Sequence, residues 1–223
     1  MLDLIAFTGW KQSGKNTAAQ VLVDRAGFVP DAFADDLKAI VYDIEGVWVR
    51  VPATVLSADP RRPMCKPEQF LPYQEVVGRL GLDNAKELVP DVRRILQTFG
   101  TEAMRSRFGP TVWSDRVLAR VAERRALGSP QRTVITDARF PDEVSAVRGA
   151  GGVLIRVVRP GQVLPSGAHA SEAAIASLEV DAEVVNDGSV AQLHARVLEA
   201  VVGLQRDDNT VLARLAARLR EEA

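Results

Sequence analysis

The 223-residue sequence predicts an α/β fold: a parallel sheet flanked by helices in three layers. Three observations carry that expectation. Residues 2 to 8 form a short apolar run that stops at Gly9, as a strand buried in a parallel sheet does. A GxxxxGK loop, Gly9 to Lys15, follows at once and leads into a helix-periodic stretch. Beyond it, apolar runs alternate with helical patterns, which requires right-handed crossovers between parallel strands.

The elements follow in order. From Lys15 to Arg25, Ala18, Val21 and Leu22 recur at helical spacing, and Gly27 supplies the stop. Phe28 to Phe33 reads as a strand and Asp35 to Ile44 as a helix. Residues 46 to 72 hold Pro52, Pro60, Pro63, Pro67 and Pro72, so this stretch reads as an irregular insertion. Pro90 opens a long helical region with Val92, Ile95, Leu96, Phe99 and Ala103 on one face and Arg94, Gln97, Thr101 and Arg105 on another. A helix over 112 to 126 ends before Gly128, Ser129 and Pro130, and TVITD (133 to 137) is strand-like and ends in an acid. Pro141 to Val147 reads as helix, Gly149 to Gly152 as turn, and VLIRVV (153 to 158) as strand. A polar segment to about Glu172 suits a mobile loop. A strand near Glu183 to Asn186, a helix from Ser189 to Leu204 and an amphipathic helix over 208 to 222, striped by Val211, Leu212, Leu215 and Leu219, close the chain.

Composition narrows the function classes. At 47% hydrophobic and 26% charged, the chain is an ordinary globular one able to bury a core. Its 28 basic and 29 acidic residues give a net charge of -1, which lacks the broad positive footprint of a protein that coats a nucleic acid polymer or an anionic membrane. Anion binding must therefore be local. There is no apolar run of 18 residues, and one cysteine, Cys65, with two histidines, His169 and His194, provides neither a disulfide nor a thiolate zinc site. A reducing cytoplasm is the expected setting.

The loop supplies the chemistry. Glycines let successive backbone N–H groups converge on phosphate oxygens, the positive end of the next helix adds attraction, and Lys15 reaches the β and γ phosphates. Gly9, Ser13, Gly14, Lys15, Asn16 and Thr17 are the candidate nucleotide-binding residues. Asn16 replaces the hydroxyl residue that ordinarily ligates magnesium. The metal is then expected on the triphosphate and waters, with Thr17 or Asp137 reaching it through water. Lys11 is a second cation inside the loop, Asp137 ends the strand that should lie beside it, and Arg139 emerges two residues later. Residues 93 to 125 carry eight arginines against three acids. An acceptor monophosphate is already a nucleophilic dianion at neutral pH and needs charge neutralisation, not a base. Lys11, Lys15, Arg139 and arginines on a closing lid would supply that neutralisation. A hydroxyl acceptor would need a carboxylate base, an option that Asp35, Asp36 and Asp137 keep open.

GWKQSGKNT (9 to 17), FADDLK (33 to 38), LQTFGTEAMR (96 to 105) with Trp113 downstream, TDARFPDE (136 to 143), RVVRPG (156 to 161), HASE (169 to 172) and VNDGS (185 to 189) occur in this order. Together, across residues 2 to 205, they resemble the bacteriophage deoxynucleoside monophosphate kinases. The resemblance implies an adenylate-kinase-like, three-layer P-loop kinase fold and transfer of the γ-phosphate of ATP to a dNMP, with magnesium. It leaves a homodimer open, and for a phage protein it implies the host bacterial cytoplasm. It places Lys15 and its loop on the ATP phosphates and Lys11 near the acceptor phosphate. Asp36, Lys38, Gln97, Thr101 and Arg105 fall at the monophosphate site, with Trp113 and Asp137 among the substrate-binding candidates. Arg139 and Glu143 fall at the junction, and Arg159, serving the nucleotide, falls in a lid with His169 and Glu172. Asn16 stands where the family often has Asp, and Ala138 where it often has Val; the helix after residue 206 lies outside the resemblance.

The expected layout is one P-loop kinase domain over 1 to 223. Within it lie the insertion at 46 to 72, a helical substrate-binding region at 73 to 127, a lid at 160 to 175 and the C-terminal helix at 208 to 222. Trp113 reads as a half-buried packing residue ahead of a base platform, and His194 as a surface residue. Two other functions remain: a P-loop kinase acting on a hydroxyl, resembling dephospho-coenzyme A kinase, and a nucleotide-dependent switch. The NKxD guanine motif is absent from the sequence.

Overall fold

The computed structural model describes residues 2–56, 68–127, 131–162, 174–205 and 211–221. Cys65, Pro60, Pro63, Pro67, His169, Glu172 and most of the expected lid lie outside the described residues. The strands are β1 (Leu4–Thr8), β2 (Phe28–Asp31), β3 (Trp48–Pro52), β4 (Glu68–Pro72), β5 (Arg132–Ile135), β6 (Val153–Val158) and β7 (Ala182–Val185). The helices begin with α1 (Lys15–Ala26), α2 (Asp35–Asp43), α3 (Ala53–Leu56), α4 (Tyr73–Leu80), α5 (Leu82–Leu88) and α6 (Pro90–Gln97). A π-helical stretch (Thr98–Arg105) then leads to α7 (Ser106–Phe108), α8 (Val112–Ala126), α9 (Pro141–Gly149), α10 (Val190–Leu204) and α11 (Val211–Glu221).

The chain divides into two compact units: Met1–Phe33 with Trp113–Ala223, and Ala34–Val112. In the first, a five-stranded sheet runs β2-β5-β1-β6-β7, every pairing parallel. β1 sits at its centre with all five residues buried, so the loop after it leaves from the middle of the carboxyl edge. Alternation along the strands sends Ile5, Phe7, Val134, Ile155, Val157 and Val184 to one face, against α1, α10 and α11. On the other face Leu4 and Val147 of α9 close on Gly152, where an added Cβ would meet each at 2.8 Å. Three layers result, as expected. Each fully buried Phe, Leu or Ile contributes about 1.5–3 kcal/mol relative to exposure.

Helix α1 ends as its sequence requires: Gly27 takes φ +69° and its N–H caps the Leu22 carbonyl. The C-terminal helix packs into the same core through Ala216 and Leu219, with Arg220 bonded to Glu199 of α10. Among the described residues no helix is long and apolar enough to cross a membrane.

The second unit has its own core of Val41, Val49, Val51, Tyr73, Val76, Ala85, Val89, Val92 and Leu96. Here the structure departs from the irregular insertion expected at 46 to 72, because β3 and β4 pair antiparallel with Val49 opposite Leu71. Val49 and Val51 turn inward while Trp48 and Arg50 face out, a period-two pattern that outweighs the proline count. Pro52 and Pro72 are tolerated because they close the strands. The long helix after Pro90 departs too, widening into the π-helical stretch. Gly100 lies buried there, and an added Cβ would stand 2.6 Å from Leu37 of α2.

Candidate functional site

In the first unit the chain leaves β1 at Thr8 and enters α1 at Lys15 through a tight turn. Gly9 takes φ +144°, Gln12 +63° and Gly14 +100°. A Cβ on Gly9 would fall 2.4 Å from the Val157 carbonyl, and one on Gly14 2.4 Å from Asn186 Nδ2, so neither position accepts a side chain. The Lys15 ammonium turns back across the loop and donates to Gly9 O at 2.6 Å and Trp10 O at 2.7 Å. Ser13 N–H donates to Trp10 O at 3.1 Å. Helix α1 has no side-chain cap and no acid in its first turn, so its positive end is not neutralised locally. Ser13 Oγ and Thr8 Oγ1 are buried there without a hydrogen-bond partner among the described residues. The cradle suits a polyanion: backbone donors, a helix end and one ammonium on a rigid strand-to-helix turn.

Around it, Lys11 is exposed and its carbonyl accepts from Gln162 Nε2 at 2.9 Å. Asn16 and Thr17 lie on the outer side of the first turn of α1. His194, expected at the surface, is half-buried, and its Nε2–H donates to Thr17 O at 2.9 Å, tying α10 to α1.

Two acids expected at the site, Asp137 and Glu143, hold backbone. Asp137 Oδ1 accepts from Phe33 N–H at 2.8 Å. Glu143 is 3% exposed, and one of its oxygens accepts from Arg139 N–H at 2.7 Å and Phe140 N–H at 3.1 Å, a reach-back cap on α9. Arg139 is half-buried and Arg159 exposed. Trp113 is 4% exposed, buried rather than half-buried, at the start of α8. Sequence reasoning passed over Asp31, whose buried carboxylate accepts from Ala32 N–H, twice from Arg120 and once from Arg124. Its trace in the sequence is the pair of arginines one helical turn apart, opposite a strand-ending acid.

In the second unit, Asp36 and Lys38 lie on α2, and Lys38 Nζ meets Asp35 Oδ1 at 2.7 Å. Gln97 ends α6, and Thr101 and Arg105 continue along the π-helical stretch, all three half-buried. A π-helical turn takes slightly more than four residues, so a four-residue spacing keeps the three on roughly one side of the stretch. Arg105 donates to Pro110 O at 2.8 Å. Arg94 pairs instead with Asp91 at 3.1 Å. The Arg50 N–H, then Arg94, hold the Asp91 carboxyl below the usual carboxylate range. Much of the arginine excess therefore serves structure: besides these, Arg93 meets Glu87 at 3.6 Å and Arg125 meets Asp3 at 2.9 Å. Among the described residues no three His, Cys, Asp or Glu side chains group to hold a metal.

The family model described as "Deoxynucleotide monophosphate kinase" matches residues 70–197. A protein of Acanthamoeba polyphaga mimivirus, provisionally named a deoxynucleotide monophosphate kinase, is 27% identical over 212 residues, 89% of this chain and 95% of that one. The deoxynucleotide monophosphate kinase of Enterobacteria phage T4 is 29% identical over 106 residues, 48% of this chain and 43% of that protein, less than half of its length. Among solved structures, a dephospho-CoA kinase from Campylobacter jejuni aligns with a TM-score of 0.42 at 14% identity, covering 92% of this chain and 98% of that one.

Proposed function

The chain belongs to the deoxynucleotide monophosphate kinase family, and from that premise we propose that it transfers the γ-phosphoryl group of ATP to a deoxynucleoside monophosphate, releasing ADP and the deoxynucleoside diphosphate. The observation that carries the reading is the Lys15 ammonium held inside a loop of left-handed glycines at the start of α1.

On this reading the loop amides of Gly9 to Gly14 and the first turn of α1, with Asn16 and Thr17, bind the ATP phosphates. Lys15 exchanges its carbonyl partners for phosphate oxygens, so the ammonium meets full negative charge in place of carbonyl dipoles. Arg159 serves the nucleotide. Lys11 and Arg139 neutralise the charge that builds as two anions approach, the largest barrier in phosphoryl transfer. In the second unit, Gln97, Thr101 and Arg105, with Asp36 and Lys38, bind the acceptor nucleotide. No general base is required, because the acceptor phosphate is already dianionic at neutral pH. Asp137 accordingly serves best as a brace, one oxygen being engaged by Phe33 N–H. Glu143 belongs to the same proposal, acting through the Arg139 backbone.

Magnesium fits this donor set as a metal carried by the triphosphate. The position after Lys15 is an amide, Asn16, while Thr17 offers an exposed hydroxyl and Asp137 a carboxylate for contact through water. When bound, the ion offsets the negative charge of the phosphates. The reaction takes small molecules of the cytoplasm. The test is a coupled ADP-release assay with magnesium-ATP against the four dNMPs, the four NMPs and dephospho-coenzyme A. Turnover with at least one dNMP is expected; silence with all four defeats the reading.

A further inference from the structure

We propose that Asn186 is a positioning residue for the ATP phosphates, aiming one amide of the phosphate loop from behind. The proposal rests on reading that loop as the ATP site and adds a residue from a separate part of the chain. Asn186 directly follows β7 and is 8% exposed. Its own N–H donates to Val158 O at 2.7 Å, which fixes it against the end of β6. Its side-chain Nδ2 donates to Ser13 O at 2.9 Å in a buried hydrogen bond spanning 173 positions of sequence.

The direction of that bond matters. The 13–14 peptide is planar and trans, so its carbonyl and its N–H point opposite ways. Drawing Ser13 O back onto Asn186 sends the Gly14 N–H to the other face of the loop. Gly14, at φ +100°, lacks the Cβ that would otherwise restrict rotation of this plane, so the peptide depends on an outside partner for its orientation. Glycine is also the only residue that fits, because a Cβ would stand 2.4 Å from the same Nδ2. Position 14 and position 186 are thus a matched pair: the glycine admits the amide, and the amide replaces the rigidity the glycine gives up. A donor held in place before the ligand arrives loses less order on binding than one that must be turned into place.

Two variants test this. Asn186→Asp keeps the shape but sets an oxygen against Ser13 O; Asn186→Ser removes bulk and introduces no charge. Affinities for ATP and for inorganic tripolyphosphate are read by competition with a fluorescent ATP analogue. The KM for the acceptor dNMP and the melting temperature are measured in parallel. Both variants are expected to bind ATP and tripolyphosphate about tenfold more weakly, the scale of one lost buried hydrogen bond. The acceptor KM should stay within about twofold, since the change is confined to the donor side. Unchanged tripolyphosphate binding in a folded variant overturns the proposal, as does weakened binding of ATP alone, which would put Asn186 on the nucleoside. Wild-type protein that binds neither probe would defeat the phosphate-loop reading itself, and this proposal with it.

Discussion

The backbone N–H of Arg139 donates to the buried carboxylate of Glu143 at 2.7 Å, so the chain that carries this cation is fixed by an acid four residues on. Glu143→Ala strands the N–H groups of Arg139 and Phe140 and should lower stability by about 1–3 kcal/mol, read from the melting temperature. Turnover should fall as well. Glu143→Gln, whose carbonyl can still accept, should recover most of both, and an alanine variant with wild-type kcat would separate Arg139 from this support.

Lys15→Ala should abolish phosphoryl transfer in the ADP-release assay while the melting temperature moves by only a few degrees. The ammonium bonds two loop carbonyls, Gly9 O and Trp10 O, and supports no part of the apolar core. Losing these two part-buried bonds is worth about 1–3 kcal/mol.

Asp31→Ala should be among the most damaging changes in the first unit. It removes the common partner of Arg120 and Arg124, and leaves two partly exposed guanidinium groups facing a cavity. A loss of about 2–4 kcal/mol in urea unfolding is expected, below the figure for a fully buried pair because water still reaches both arginines. Arg120→Ala should cost less than Asp31→Ala, since Arg124 continues to neutralise the acid.

Acid should loosen the second unit through Asp91. Its folded carboxyl titrates below the usual carboxylate range, chiefly because the Arg50 N–H donates to it, with Arg94 adding. The stability this provides is complete above the unfolded value of 3.8 and is lost as pH falls through the lower folded value. Asp91→Asn should therefore be less stable than the parent at pH 7, and the difference should shrink as pH falls below 3.8, as urea midpoints measured across that range will show.

What the sequence made legible follows physical range. Gly9, Gly14 and Lys15 announce a phosphate loop because the turn is local and its glycines have one purpose. The central strand β1 announces itself because burial on both faces makes it almost continuously apolar. The β3–β4 ribbon was hidden by its prolines, which count as breakers wherever they fall, although alternation at Trp48, Val49, Arg50 and Val51 outlines it. Asp31 and Asn186 were hidden for a different reason: each acts on groups far away in sequence, and neither neighbourhood reveals what it touches. Asp137 and Glu143 were visible as acids in the right place, but only the structure shows their oxygens engaged with Phe33, Arg139 and Phe140 amides.

The order of the sheet also dictates when this protein becomes able to fold. Leu4 pairs with Thr133 and Ile5 with Val153, so the central strand waits for partners made after more than half of the chain has emerged. The pairings of the second unit, Val49 with Leu71 among them, close over short stretches. During synthesis the segment from Ala34 to Val112 can therefore settle early, while the amino-terminal strand and its glycine turn stay unsupported until β5 and β6 leave the ribosome.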